Sequence, residues 1–90
     1  MRLRFYIDPE TDRPHVENHG VDPIECAEVL SRPGQDFAGR EGTRVALGQT
    51  KAGRHLKVIY KVDADRGELF VITAYQLRGK ELKAFRRRRR

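Results

Sequence analysis

Cysteine, tryptophan and long apolar runs are what this sequence has least of. Its 90 residues include one cysteine, Cys26, and no tryptophan. One thiol cannot close a disulfide framework, which excludes the stapled scaffolds of small secreted domains and points to a cytoplasmic setting. Cys26 falls among apolar residues of an expected helix, where a free cysteine packs as a small hydrophobe. No apolar stretch approaches the roughly 20 residues that a membrane-spanning helix needs. The N-terminus alternates arginine with apolar residues and lacks the apolar block of a signal peptide. No membrane partner is expected. His15 and His19 are spaced to share a helix face, an arrangement that can bind metal, but no third-ligand pattern accompanies them. Neither a metal nor another cofactor is expected.

Acidic residues are scarce at one end. Residues 78–90 hold eight Lys/Arg and only Glu81, a net +7, whereas residues 1–77 hold eleven Lys/Arg and twelve Asp/Glu, a net −1. The basic character of the chain therefore belongs to its last segment. The arginines Arg86, Arg87, Arg88, Arg89 and Arg90 repel one another and are expected to stay extended until an anion neutralises them. Such a run gives salt-sensitive affinity for a phosphate backbone without choosing a sequence. It has no interleaved aromatics, so base stacking is not built into it. The length suits one domain that buries roughly 60–65% of its unfolded surface. The expected organisation is a domain over residues 1–85 and a basic tail over 86–90.

Residues 1–7 alternate, with Leu3, Phe5 and Ile7 on one side, and predict a half-buried strand that ends at Asp8-Pro9. A short helix is expected over Arg13–His19, stopped by Gly20. A second begins with Asp22 as N-cap, Pro23 at the first helical position and Glu25 closing a capping box. Pro33-Gly34 ends it, and residues 31–42 read as a loop. Three strands follow, at residues 43–50, 54–62 and 68–76, joined by turns at Lys51-Ala52-Gly53 and Asp63–Gly67. Leu82 and Phe85, three apart after Gly79, predict a short C-terminal helix.

The two hairpins sort the strand residues onto faces. One face collects Ala46, Gly48, Leu56, Val58, Tyr60, Phe70, Ile72 and Ala74, an apolar floor with small residues where a helix can lie close. The other collects Val45, Leu47, Ile59 and Val71 at one end and Gln49, His55, Lys57, Thr73 and Tyr75 at the other. Lys57 is expected opposite Thr73, and His55 opposite Tyr75. With helices on one side only, the second face is free to bind. A one-residue slip would exchange the faces.

Phe5-Tyr6-Ile7-Asp8-Pro9, His19-Gly20-Val21, Glu25, Ala27, Val29, Leu47-Gly48, Gly53-Arg54, Val58–Tyr60, Ile72-Thr73-Ala74 and Glu81 form an ordered set of short matches. In that set the sequence resembles the BrnT-type toxins, a branch of the RelE-like ribonuclease superfamily. The resemblance implies an α+β fold: a twisted antiparallel sheet of about four strands with two N-terminal helices on one face. It also implies a metal-independent ribonuclease held by a cognate antitoxin. Ile7, Thr11, Tyr75 and Phe85 depart from the family pattern, where a tryptophan, a lysine, an arginine and a tyrosine stand.

Metal-free RNA cleavage needs a base for the 2′-hydroxyl, cations for the phosphorane and an acid for the leaving oxygen. Arg54, in the matched Gly-Arg, is a candidate phosphate clamp. His55 is a candidate acid or base, Lys57 a cation on the open face, Tyr75 a phosphate or base contact, and Glu81 a candidate base. Arg78, Lys80, Lys83 and Arg86–Arg90 are candidates for nucleic-acid binding. The leading expectation is a toxin-type protein that binds RNA, with metal-free cleavage as its candidate activity and a cognate antitoxin as partner. The alternative is a non-enzymatic module of the same fold that binds nucleic acid or an acidic partner.

Overall fold

The computed structural model describes residues 2–88. Its elements in order are β1 (Arg2–Phe5), β2 (Ile7–Asp8), β3 (Arg13–Pro14), a 3-10 helix (His15–His19), α1 (Pro23–Ser31), β4 (Gln35–Ala38), β5 (Arg44–Gln49), β6 (His55–Asp63), β7 (Glu68–Gln76) and α2 (Gly79–Arg88). The class is α+β. Five strands form one mixed sheet in the order β1-β7-β6-β5-β4, and β2 and β3 form a separate two-stranded ribbon.

The expected sheet of about four antiparallel strands, with two helices on one side, is corrected in three respects. First, β1 runs parallel to β7. No local turn announces that pairing. It is fixed by Glu68, a buried carboxylate that accepts from Arg2 Nη2 at 2.9 Å and Arg4 Nε at 3.2 Å. Second, β4 lies inside the segment read as a loop and pairs antiparallel with β5. Asp36 on β4 accepts the Tyr60 hydroxyl and Arg44 Nε, which ties this edge strand to its neighbours. Third, only α1 is an α-helix on the N-terminal side. Residues 13–19 divide into β3 and the 3-10 helix, with Gly20 at φ 70° as the stop.

The first strand ends at Phe5 because the chain leaves the sheet edge there. Tyr6 N donates to Val71 O, and His15 N donates back to Tyr6 O. Ile7 is thereby exposed.

Helix α1 starts as expected. Asp22 accepts from Ile24 N at 2.7 Å, and Glu25 accepts from Asp22 N at 3.0 Å, so two otherwise orphaned donors are satisfied. It buries Cys26 and Val29 against β5 and β6. Val29 sits over Gly48, where a Cβ would come within 3.1 Å of Val29 Cγ1. That close approach is why a small residue is needed there. The main core contains Val16, Val21, Cys26, Val29, Ala46, Leu56, Val58, Tyr60, Val71 and Ala74.

The β5–β6 hairpin has the expected register, from Arg44 opposite Tyr60 to Gln49 opposite His55. The β6–β7 hairpin does not. Lys57 faces Tyr75 and Ile59 faces Thr73, a slip of two residues that keeps the faces. The register then shifts between Ile59 and Tyr60, and Tyr60 faces Val71. This bulge leaves Ile72 without a partner. It moves Val71 into the core, and it takes Phe70 and Ile72 out of the apolar floor.

The second face is not wholly free. Leu82 and Phe85 of α2 pack on Val45, Leu47, Leu77 and Ile59. The expected extended tail is also corrected. Arg86–Arg88 form the last turn of α2, and Arg88 Nη1 donates to Gln35 Oε1 at 2.9 Å. Arginine is a good helix former, and cations at a helix C-terminus are favoured by the macrodipole. Arg89 and Arg90 lie outside the described residues.

Two outcomes follow. Phe85→Ala should cost about 3 kcal/mol in urea unfolding and remove hydrogen-exchange protection from α2 while β6 stays protected. Burial, with Glu25 and Asp22 nearby, pushes the Cys26 thiol up to about 12. A thiol reagent at pH 8 should therefore label Cys26 only when urea unfolds the chain; rapid labelling of the folded protein would contradict this packing.

Candidate nucleic-acid interface

Helix α2 covers part of the second face, with Phe85 on Val45, Leu47, Leu77 and His55, and leaves the rest open. A groove of about 690 Å³ remains there, with Val45, Ile59, Ile72 and Thr73 along its floor. Arg40, Lys57, Lys61 and Tyr75 stand at its margins, with Glu41 as the one carboxylate. The bulge builds this floor, because Ile72 and Thr73, neighbours in sequence, both line it. Arg40 and Lys61 are exposed. Neither was singled out by the sequence, because a cation next to a glycine-rich loop or near a strand end carries no distinguishing pattern.

Lys57 stands where the groove meets α2. Its Nζ donates to Glu81 Oε2 at 2.9 Å and lies 5.6 Å from the centre of the Tyr75 ring. The bond to Glu81, aided by Tyr75, holds the Lys57 ammonium above its ordinary range. Lys57 is thus a fixed cation at neutral pH, suited to a phosphate oxygen rather than to proton transfer. Glu81 is engaged with that cation.

The five residues expected to act together are divided. Lys57, Tyr75 and Glu81 share one place. His55 packs edge-to-face on Phe85, ring centres 5.8 Å apart. It lines a separate pocket of about 420 Å³ with Arg32, Lys51 and Arg86 between the end of α1 and α2. Burial and the nearby Arg86 lower its affinity for a proton. Arg54 precedes β6 and turns to the α1 side, where Nη1 donates to Gly20 O and to Glu25 Oε1, each at 2.9 Å. The clamp expected of Arg54 therefore closes on the start of α1 and not on the groove. The physical reason is strand alternation, which sends Arg54 and Leu56 to one face and His55 and Lys57 to the other.

Arg78, Lys80, Lys83, Arg86, Arg87 and Arg88 are all exposed along or just before α2. They make a basic ridge along the helix.

A chain of rings was not anticipated. Tyr75 meets His19 at 6.2 Å between centres, His19 meets His15 at 5.3 Å, and His15 meets Tyr6 at 6.0 Å. Asp8 stands behind His15, with Oδ2 3.4 Å from Nδ1. The sequence signal was the His15/His19 spacing, read as a possible metal pair. Among the described residues no group of three or more His, Cys, Asp or Glu side chains is arranged to hold a metal ion. Among them, too, no helix is long and apolar enough to cross a membrane.

No protein-family model, curated protein or solved structure matches this chain.

The lowered His55 fixes a pH dependence. A group that binds protons less well when folded leaves the unfolded state holding more of them, so stability rises with pH. Stability is lost as pH falls below about 6.5, the ordinary histidine value, toward the lower folded value. Thermal melts of the wild type and His55→Gln between pH 7 and pH 5 should show a smaller loss in the variant.

Proposed function

We propose that this chain binds single-stranded RNA along the open groove and the α2 ridge, as a small toxin-type protein of the BrnT kind with a cognate antitoxin as partner. The observation that carries the RNA reading is the groove itself. It offers an apolar floor for bases, with Tyr75 as a stacking ring, between the cations Arg40, Lys57 and Lys61. That combination suits a flexible strand with exposed bases, because stacking accepts any base and the cations follow the backbone. A duplex hides its base faces and cannot use the floor. The toxin and antitoxin part of the reading is supported by the ordered sequence matches, not by the strand arrangement.

The basic turn Arg86–Arg88 adds affinity that salt removes. It also favours a phosphate polymer over an acidic protein as ligand, since an apolar floor with a stacking ring has no use for isolated carboxylates.

Binding of a fluorescent single-stranded RNA measured across a salt series tests the reading. Arg40→Ala and Lys61→Ala should each weaken binding and reduce the log–log salt slope by about 0.7. Tyr75→Ala should cost about 1–3 kcal/mol of binding for each base it stacks. Unchanged affinity in all three variants would place any RNA contact elsewhere and overturn the groove as the interface.

A further inference from the structure

We propose that His15 and His19 form a general acid–base pair for metal-free RNA cleavage at the end of the groove, with Asp8 positioning His15. The inference rests on the RNA-binding reading above and adds to it a catalytic pair that none of Arg54, His55, Lys57, Tyr75 and Glu81 supplies. Lys57 is a fixed cation, Glu81 is tied to it, and His55 and Arg54 face other parts of the molecule. A cleavage site there lacks a free base and a free acid.

The ring chain supplies both. Lys57 Nζ lies 5.6 Å from the centre of the Tyr75 ring and the His19 ring 6.2 Å from it, so a phosphate at Tyr75 has a cation and an imidazole close by. His15 follows, 5.3 Å from His19 between ring centres. Asp8 is a buried carboxylate with ordered partners: Glu10 N donates to it at 2.8 Å and Asn18 Nδ2 at 2.5 Å. Those donors keep it ionised, below the ordinary carboxylate range. An ionised carboxylate only accepts, so its contact with His15 is made by the tautomer with the proton on Nδ1, a nitrogen that also lies 3.4 Å from Asn18 Nδ2. Nε2 is left with its lone pair and can act as a base. The 3.4 Å separation leaves this contact to tighten when His15 becomes positive. His19 is exposed at the end of the 3-10 helix, next to Gly20.

The step balances as follows. His15 Nε2 takes the proton of the 2′-hydroxyl, and the 2′-oxygen bonds to phosphorus. The bond from phosphorus to the 5′-oxygen breaks, and protonated His19 gives its proton to that oxygen. The products are a 2′,3′-cyclic phosphate and a 5′-hydroxyl end. Lys57 stabilises the added negative charge on the phosphorane oxygens. The titratable and charged groups about the pair are Asp8 from β2, Tyr6 from the β1–β2 link, Tyr75 from β7 with Lys57 near it, Arg54 bonded to Gly20 O next to His19, and the Arg13–Glu17 ion pair beside their own helix.

The test uses the full chain, a single-stranded RNA oligonucleotide and a chelator, with retardation and cleavage measured on the same samples from pH 5 to pH 9. The expected result is cleavage to cyclic-phosphate ends with a bell-shaped pH profile, abolished by a 2′-deoxy substitution at the cut. His15→Gln and His19→Gln should each lower the rate by about 10²-fold or more, far beyond any change in affinity. The first should lose the acid limb of the profile and the second the alkaline limb. Circular dichroism checks that both variants are folded. RNA that is retarded but intact at every pH overturns the acid–base pair and leaves the binding reading in place. Cleavage that keeps both pH limbs in the two variants also overturns the pair. A chain that does not retard RNA at all overturns the binding reading and the pair with it.

Discussion

The packing of Leu82 and Phe85 on Val45, Leu47 and Leu77 decides what the second face of this sheet can do. Before that contact, the face is a single surface running from apolar to polar. With α2 in place, part of it is covered, the rest is a groove, and six positive side chains from Arg78 to Arg88, less the one spent on Gln35, are carried along the helix. The same contact brings Glu81 to Lys57 and so fixes the one lysine that marks the junction. Two apolar side chains on one helix thus create both the groove and its electrostatic character. A helix with so many like charges has little reason to persist alone, since its cations repel one another. Burial of one face holds it.

The opposite face is built on the reverse logic. There α1 lies close because Gly48 leaves room for Val29, and its start is locked by the capping box and by Arg54. Polar groups on that side are spent on structure. Arg54 closes on Gly20 and Glu25. On the groove side Arg40 and Lys61 stay exposed. The division of labour between the faces follows from this difference in how far each cation is already used.

Much of the fold was legible where a local rule applied. The Asp22-Pro23-x-Glu25 start of α1, the Gly20 stop and the entire β5–β6 register follow from caps, left-handed glycine and a tight turn carrying Gly53 at φ 96°. The parallel pairing of β1 with β7 was not legible, because sixty-odd residues separate the partners and no turn joins them. β4 was hidden by Pro33, Gly34 and Gly39, which punctuate so strongly that four strand residues between them read as loop. The site was legible only in pieces. Lys57 and Tyr75 were placed on the right face, since a slip of two residues preserves alternation. His55 was also placed on the right face, but Phe85 of α2 packs on it and parts it from the groove. Arg54, read as a clamp from the matched Gly-Arg, points to the opposite face and bonds Gly20 and Glu25. Ile72 entered the groove through a bulge that no residue in the hairpin announces. The ring chain depends on the β2–β3 ribbon swinging His15 back to Asp8, a short-range fold that periodicity does not reveal.

The most direct test of the central claim, that the uncovered end of the sheet is where RNA lies, is a nuclear magnetic resonance titration of the isotopically labelled chain with a short single-stranded RNA. The account predicts shifted amides in Thr43–Val45, Lys57–Lys61, Ile72–Tyr75 and α2, with α1 unmoved. Shifts gathered on α1 and the Arg54–Glu25 side, or confined to the last arginines while the groove stays silent, would contradict it.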